Sequence, residues 1–566
     1  MSERKPTAEQ QAAIDAEGEI LVSASAGSGK TFVMIEKIIA LVLSGRAETS
    51  SVLAVTFTNL AAAEMKERLK KALSACIRAE EDPSRRRMLK DQLFSVNTAD
   101  ICTLHSFCAN VIRRHFYRID ADAGFRVAEE AEADKIKARA VESLFEEKLE
   151  EGDADFALLS RAFAGSRGFA RLASILTDAY EKVSSRADYI AFLEGIPALY
   201  TQEGFARLAE EAFSSAKRRA EKLFAEAVRA AEETVPFVKE GLMSPKHTEF
   251  CVARAAFARA VLDAPDLFSA ARSVKESSLG SKPLNTKLKN AGREDALALD
   301  KRMSAFKELT DGIREDLAGL EEEAPLREGF FSSGKLAAAL AHLLIDFDAE
   351  YEKRKRRAGV LDFSDLEHKC LALLRIPEVR EEVRGKYTHV FVDEYQDVNP
   401  AQEEILSLVA GKNVFMVGDA KQSIYGFRGC SAAFFTQKYD ALKARGCALE
   451  LNGNFRSADA VLEAVNRIFS AVMTKETCSI DYAATSVMRG GGAYPEGAGG
   501  VRFDFLPEKE KKEREVPDVY SVAAHLDGEG EEESREGTRI AEIIAEALSQ
   551  KRYDPARGEY VKIDFK

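Results

Sequence analysis

Two short stretches have residue types and spacing suited to phosphate chemistry. The first, ILVSASAGSGKT at residues 20–31, places a Gly-Ser-Gly-Lys-Thr turn between an apolar run and a helical pattern. In such turns, backbone N–H groups and the helix N-terminus hold phosphate oxygens, Lys reaches the β- and γ-phosphates, and Thr ligates Mg²⁺. Ala24 stands where the first Gly of the pattern is usual. The predicted phosphate-binding residues are Ala24, Ser25, Ala26, Gly27, Ser28, Gly29, Lys30 and Thr31.

The second stretch, THVFVDEYQD at residues 388–397, is an apolar strand pattern that ends in carboxylates. Mg²⁺ needs an oxygen ligand at a strand end, and hydrolysis needs a base that orients water. The sequence therefore predicts Asp393 as a metal ligand with Thr31, and Glu394 as the group that polarises the attacking water. Lys30 and Asp393 are separated by 363 residues. A separation of this size predicts a large domain inserted into the nucleotide-binding core.

The elements that must position these residues alternate between strand and helix patterns. Residues 1–115 read as βαβα, which predicts a parallel sheet covered by helices, and strand patterns return in 350–445. Residues 116–349 are rich in Ala, Glu, Lys, Arg and Leu with helical periodicity. The predicted fold class is α/β, with 1–115 and 350–445 as the nucleotide-binding domain and 116–349 as an all-helical insertion. We expect residues 446–566 to begin a second domain.

The composition excludes several classes of protein. The 566 residues are 46% hydrophobic and 31% charged, which is typical of a globular chain. We find no apolar run of transmembrane length, and the eight scattered cysteines form no C-x-x-C pair. We therefore expect no membrane partner and a reducing, cytoplasmic location. The net charge of −13 argues against a protein coated in basic charge but is compatible with a basic groove for nucleic acid.

Several further motifs occur together with these two stretches. They are LAVTFTNLAAAEMKERL, TLHSFC, AGVLDFSDLE, VGDAKQSIYGFRG and LNGNFRS, and with the first two they cover about residues 7–460. In sequence and order they resemble the UvrD/Rep-like superfamily 1 DNA helicases. Within that family the chain is most similar to the RecB-like branch, in particular the AddA-type helicase–nuclease subunits. The resemblance implies a RecA-like ATPase domain, a helical insertion and the start of a second RecA-like domain.

For the nucleotide, the resemblance implies ATP with Mg²⁺ and assigns roles to further residues. Gln10 would contact the adenine edge, and Phe455 would stack on the base. Gln422 would sense the γ-phosphate and link it to DNA, and Arg456 would bring positive charge to it. Phe32 occupies the position where relatives often carry an Arg that packs on adenine. The implied catalytic residues are Lys30, Asp393, Glu394, Gln422 and Arg456.

For DNA, the resemblance implies contacts through aromatic rings, hydroxyls and positive charge after the strands. Sequence-tolerant motors use stacking and backbone contacts instead of base-edge readout. Phe427 stands where many relatives carry Trp, and the chain contains no Trp. The implied DNA-contact residues are Thr56, Phe57, Thr58, Asn59, His105, Ser106, Tyr425, Phe427 and Arg428.

The function implied by the resemblance is ATP-dependent 3′–5′ DNA helicase or translocase activity in double-strand break repair and recombination. The implied partners are single-stranded DNA, duplex DNA ends and an AddB-like subunit. Later helicase motifs and a nuclease signature are not found, so we expect this chain to bind nucleotide but to hydrolyse ATP poorly and not to unwind DNA. Two alternatives stay open at this point: a stand-alone UvrD/Rep-like repair helicase, or a non-hydrolysing nucleotide- and DNA-binding protein.

Overall fold

The chain folds into two compact units. The computed structural model describes residues 5–119, 121–122, 124–164, 168–283, 293–424, 426, 429–430, 432–474, 478, 480–492, 494–495, 540, 542–546, 550–554 and 559–562. One unit falls within residues 1–129, 181–187 and 359–566 and is called the α/β unit. The other falls within 130–180 and 188–358 and is called the helical unit.

A six-stranded parallel sheet forms the centre of the α/β unit. Its strands are β1 (Glu19–Ala24), β2 (Val52–Thr56), β3 (Asp100–Thr103), β6 (His389–Val392), β7 (Val414–Gly418) and β8 (Ala448–Leu451). They are arranged in the order β3-β2-β6-β7-β1-β8. In register, Thr56 pairs with Thr103, Val55 with Val392, and Val392 with Met416. The carboxyl ends of neighbouring strands therefore lie along one edge, the usual place for ligands in open α/β sheets.

Both faces of the sheet are buried, as the continuous apolar runs of its strands require. Alternate residues of each strand enter opposite cores. Leu21, Val55 and Met416 belong to one buried cluster, and Val22 and Phe415 belong to the other.

The helices of the α/β unit cover these faces, except the last two in the chain, which contact each other. They are α1 (Ala8–Asp15), α2 (Lys30–Leu43), α3 (Asn59–Ala79), α4 (Pro83–Ser95), α5 (Leu104–His115), α15 (Phe363–Leu374), α16 (Pro377–Lys386), α17 (Pro400–Val409), α18 (Ala432–Ala444), α19 (Asp459–Val472) and α20 (Tyr482–Thr485). Short 3₁₀ segments span Thr49–Ser51, Phe116–Arg118, Tyr395–Asp397 and Ala420–Gln422. Three two-stranded pairs join β4 (Arg126–Val127) to β5 (Val360–Leu361), β9 (Gly453–Asn454) to β10 (Arg489–Gly490), and β11 (Lys551–Asp554) to β12 (Glu559–Lys562).

The helical unit contains long amphipathic helices. They are α6 (Glu130–Glu151), α7 (Ala154–Phe163), α8 (Ala170–Val183), α9 (Tyr189–Leu199), α10 (Gln202–Lys239), α11 (Pro245–Leu262), α12 (Leu267–Glu276), α13 (Glu294–Leu317) and α14 (Glu323–Ala358). Along α10, Ala216, Ala220, Leu223, Ala227 and Ala230 are buried at three- and four-residue spacing. Small residues on one stripe allow α11 and α13 to approach closely, and the pattern is the helical period expected from the sequence.

Helix α14 qualifies as a membrane span by length and mean hydropathy, and it is the one described helix that does so. One third of its most apolar window is buried inside the protein. Leu343, Phe347 and Tyr351 are among its buried residues. A core helix of a globular unit passes the same test, so length and composition alone do not identify α14 as a membrane span.

The predicted fold class, α/β with a large helical insertion, is confirmed. The limits differ in detail from the predicted 116–349, because the helical unit begins at 130, ends at 358 and does not include residues 181–187, which belong to the α/β unit. That segment is held there by Ser185, whose carbonyl accepts the N–H of Ala401 at 3.2 Å. Strand β8 follows the predicted domain boundary at 446, yet it pairs with β1 in the main sheet. A second RecA-like domain within 446–566 stays a prediction.

Candidate nucleotide and nucleic-acid sites

The phosphate-binding loop connects β1 directly to α2. Gly27 and Gly29 have φ of 73° and 88°, the left-handed region that favours glycine. Ala24 is the last residue of β1 and lies outside this region, so its position needs no glycine. Lys30 is the first residue of α2, whose free N–H groups favour an anion. We name residues 24–31 the cradle.

Lys30 contacts the acidic strand end that the sequence predicted as its partner. Its Nζ donates to Glu394 Oε2 at 2.8 Å, and the lysine side chain is 12% exposed. Glu394 has φ of 49°, and it is the one non-glycine residue with positive φ among the described residues. A strained backbone of this kind persists only where surrounding contacts impose it, and such residues concentrate at functional sites.

Asp393 lies beside this ion pair at the end of β6. Its Oδ1 accepts the N–H of Glu394 at 3.0 Å, and its own N–H donates to Val55 O. Burial and the adjacent Glu394 carboxylate raise the pKa of Asp393 to about 6, although Lys30 opposes the shift. A cation would relieve this electrostatic cost, and the carboxylate of Asp393 and hydroxyl of Thr31 are the oxygen donors that Mg²⁺ prefers.

Gln396 links Glu394 to Asp419 of the VGDAKQSIYGFRG motif, a role that was not predicted. Its amide nitrogen donates to Glu394 Oε2 at 2.8 Å, and its amide oxygen accepts the N–H of Asp419 at 2.8 Å. Asp419 in turn accepts Gln422 Nε2 at 2.7 Å. A Cβ at Gly418 would lie 2.7 Å from Gln396 Oε1, so glycine is required there. The predicted γ-phosphate sensor Gln422 is thus connected to Glu394 through two buried polar residues.

Gln10 anchors the cradle from α1. Its Nε2 donates to Ser28 O at 2.9 Å, and its Oε1 accepts the N–H of Thr7 at 3.1 Å. The side chain is buried, and both ends of the amide are occupied by the protein. The structure therefore shows Gln10 holding the loop, and the contact with adenine stays a prediction. Phe32 packs against the buried cluster around α2.

Residues 453–457 approach the cradle from the other side. Phe455 N donates to Gly27 O at 2.9 Å, and Asn454 Nδ2 donates to Ala26 O at 2.7 Å. Asn454 Oδ1 accepts the N–H groups of Arg456 and Ser457, which fixes the turn that carries Phe455 and Arg456. This role of Asn454 was not predicted from the sequence. The available signal was its position between Gly453 and Phe455 in the LNGNFRS motif.

The ring of Phe57 is 42% exposed at the end of β2. Thr58 and Asn59 are exposed at the start of α3, where the Thr58 side chain accepts the N–H of Ala61. Thr56 is buried, and its hydroxyl donates to Thr58 O at 3.0 Å. Of the four predicted residues, Thr56 therefore positions the turn and the other three reach the surface.

His105 and Ser106 follow the neighbouring strand β3. Ser106 Oγ lies 2.9 Å from Thr103 Oγ1, within the cap of α5. The His105 ring lies 4.7 Å from that of Phe363, which is 54% exposed. Phe363 was not predicted as a DNA contact, although it lies in AGVLDFSDLE, one of the motifs that carry the resemblance. We name Phe57, His105 and Phe363 the aromatic edge. Tyr425, Phe427 and Arg428 lie outside the described residues.

Comparison with known proteins identifies the family. The UvrD/REP helicase N-terminal domain matches residues 6–443. Relatives whose names describe the A subunit of an ATP-dependent helicase/nuclease include those of Alkaliphilus oremlandii, 32% identical over all of this chain, and Desulforamulus reducens, 33% identical over all of it. The relative from Anoxybacillus flavithermus is 32% identical over 91% of the chain. This chain covers 47%, 47% and 44% of these relatives, about half their length. The chain belongs to the UvrD/Rep helicase family.

Proposed function

We propose that this chain is the N-terminal motor portion of an ATP-dependent 3′–5′ DNA helicase or translocase that acts in double-strand break repair. The observation that best supports this proposal is the 2.8 Å contact between Lys30 and Glu394, which are 364 residues apart in sequence. It brings a phosphate-binding lysine and a carboxylate to one strand edge, as ATP hydrolysis requires. The relatives' names, which describe one component of a helicase/nuclease, support the choice of a helicase–nuclease complex over a stand-alone repair helicase.

The proposed chemistry uses an exchange of partners at Lys30. A β,γ-phosphate would compete with Glu394 for the ammonium group, and the released carboxylate would orient the attacking water. Mg²⁺, held by Thr31 and Asp393, would supply charge stabilisation at the phosphate oxygens. Gln422 would report the γ-phosphate through Asp419. Arg456, held beside Gly27, would stabilise negative charge in the transition state.

The proposed DNA surface is the aromatic edge with its neighbours Thr58, Asn59 and Ser106. Exposed rings stack on bases of any sequence, which suits a motor that must move along DNA. We extend the proposal to Tyr425, Phe427 and Arg428, to duplex DNA ends, to an AddB-like partner and to a cytoplasmic location. We also propose that residues 446–566 begin the second RecA-like domain and that hydrolysis by this chain alone is weak.

The test is nucleotide binding and ATP turnover by the purified chain. We expect Mg²⁺ and a fluorescent ATP analogue to bind, and Lys30→Ala to weaken binding about tenfold or more, because a charge-assisted contact is lost. Lys71→Ala, at an exposed position of α3, is the matched control. Turnover near background with intact binding supports the proposal that the second half is needed. Equal binding by the parent chain and Lys30→Ala would overturn the nucleotide site.

A further inference from the structure

Glu367 is a buried carboxylate that lies between the aromatic edge and the segment that follows Asp393 and Glu394. It lies on α15 and is 4% exposed. Its Oε1 is 3.0 Å from His105 Nε2 and 2.7 Å from Gln402 Nε2, and its Oε2 accepts Asn399 Nδ2 at 3.1 Å. Burial would raise the pKa of Glu367, but these hydrogen bonds hold it below its ordinary value. A buried carboxylate with three donors fixes the elements that supply them.

One of these donors belongs to the aromatic edge. His105 is the second residue of α5, and its ring contacts Phe363, the first residue of α15. One turn further along, Cys108 of α5 and Cys370 of α15 are both fully buried in the same hydrophobic cluster. Because α5 and α15 share this buried cluster and His105 hydrogen bonds Glu367 directly, we expect a displacement of His105 to be transmitted to Glu367.

The other donors belong to the segment that follows the catalytic carboxylates. Asn399 is the N-cap of α17 and forms a capping box with Gln402. Five residues before Asn399 is Glu394, and the intervening 3₁₀ turn is closed by the Asp397 N–H, which donates to Glu394 O at 2.9 Å. Glu367 therefore holds the far end of the turn whose near end places Glu394 against Lys30.

We infer that Glu367 is a positioning residue that couples occupancy of the aromatic edge to nucleotide binding at the cradle. The inference rests on the proposed function, because it takes single-stranded DNA as the ligand of His105 and Phe363. A base stacked at this edge would fix the His105 ring, and Glu367 would pass that constraint to Asn399 and the turn carrying Glu394. By thermodynamic reciprocity, nucleotide must then change DNA affinity by the same factor.

Two variants break the link at different points. Glu367→Gln keeps the shape of the side chain but replaces one acceptor oxygen with a donor that faces Asn399 or His105. Asn399→Ser keeps an N-cap oxygen for α17 but removes the amide donor to Glu367. The matched control is Glu404→Gln, since Glu404 also joins α17 to the end of α15, through Arg375 at 2.8 Å, but has a side chain that is 36% exposed.

The experiment measures a coupling factor with the full 566-residue chain. A fluorescent non-hydrolysable ATP analogue with Mg²⁺ is titrated with and without saturating oligo(dT), and labelled oligo(dT) is titrated with and without nucleotide. We expect a coupling factor of about fivefold or more in the parent chain and in Glu404→Gln. In Glu367→Gln and Asn399→Ser it falls below about twofold, while the affinity for each ligand alone changes less than about threefold. The double variant shows no further loss, because both changes break the same link.

The outcomes separate this inference from the proposed function. A parent chain that binds both ligands without coupling overturns the inference, as do variants that retain the parent's factor. A parent chain that binds neither ATP analogue nor oligo(dT) overturns the proposed function instead. Circular dichroism checks folding, and if Glu367→Gln does not fold, the coupling factor of Asn399→Ser decides the matter.

Discussion

The cradle and the aromatic edge lie along the same side of one sheet but are built in opposite ways. At the cradle, Lys30 is 12% exposed and pairs with Glu394, and Gln396 is bonded at both ends of its amide. At the aromatic edge, Phe57 and Phe363 are 42% and 54% exposed. The cradle has fixed charges and satisfied hydrogen bonds, whereas the edge presents open ring faces.

This difference matches what the two proposed ligands, a nucleotide phosphate and a nucleic-acid base, would demand. A phosphate group is small and highly charged, so its binding site gains from donors held in place before the ligand arrives. A nucleic-acid base offers a flat face common to all four bases, so an exposed ring suffices and tolerates any sequence. Substitutions at the cradle and its contacts should therefore affect stability and chemistry together, and substitutions at the edge should weaken nucleic-acid binding with little change in stability.

The largest expected effect is at Gln396, the buried residue that contacts Glu394, the partner of Lys30 in the cradle. Gln396→Leu removes the acceptor for the Asp419 N–H, which is left unpaired in the interior, and one of the donors to Glu394. We expect the free energy of unfolding to fall by about 2–4 kcal/mol, measured by urea denaturation. Gln11→Leu is the control, because Gln11 is an exposed residue of α1, and it should change stability by less than about 0.5 kcal/mol. Equal effects of the two substitutions would contradict the contrast.

At the aromatic edge we expect a binding effect with little change in stability. Phe363→Ala removes an exposed ring, and we expect oligo(dT) affinity to fall by about 1–3 kcal/mol, as for the loss of one stacked base. Nucleotide affinity without DNA should not change. Phe94→Ala is the matched control, since Phe94 is 77% exposed on α4, away from the edge. Fluorescence anisotropy measures both, and an unchanged affinity in Phe363→Ala excludes stacking at this position.

The smallest expected effect is the pH dependence contributed by Glu367, which lies between the two regions. Its pKa is lower in the folded protein than the ordinary value of 4.5. A lowered carboxylate pKa contributes stability that is present above the unfolded value and lost as the pH falls through the folded value. Glu367→Gln should therefore destabilise the chain by about 1–2 kcal/mol at pH 7, and the difference from the parent should shrink below about pH 4.5. A difference that is constant from pH 7 to pH 4 would refute this.

The sequence predicted the cradle and its acidic partner because each is a contiguous motif whose spacing encodes the chemistry. The two motifs were expected to lie together across the insertion, and in the structure Lys30 of one contacts Glu394 of the other, since both follow apolar strands whose carboxyl ends share an edge. The helical character of the insertion followed from composition, but its limits did not, because residues 181–187 are recruited by contacts distant in sequence.

The roles of Gln10, Gln396 and Glu367 could not be predicted in the same way. Glu367 and His105 are 262 residues apart, and the motif that contains each residue gives no indication that the two side chains meet. The two side chains meet because α5 packs against α15. The periodicity of the sequence predicts that each helix has an apolar face, but not that these two faces pack together. Strand β8 was assigned to a later domain for the same reason, since sequence order does not reveal that it pairs with β1.

The order of strands in the sheet has a consequence for how the chain is made. β1 and β2 are consecutive in sequence but are separated in the sheet by β6 and β7. Val52 pairs with His389, so β2 gains that neighbour only after more than 300 further residues have been synthesised. We therefore expect one edge of β2 to stay without its native neighbour during synthesis until the helical unit has been made. The length of the helical insertion would then set how long this strand edge is open to pairing with other chains.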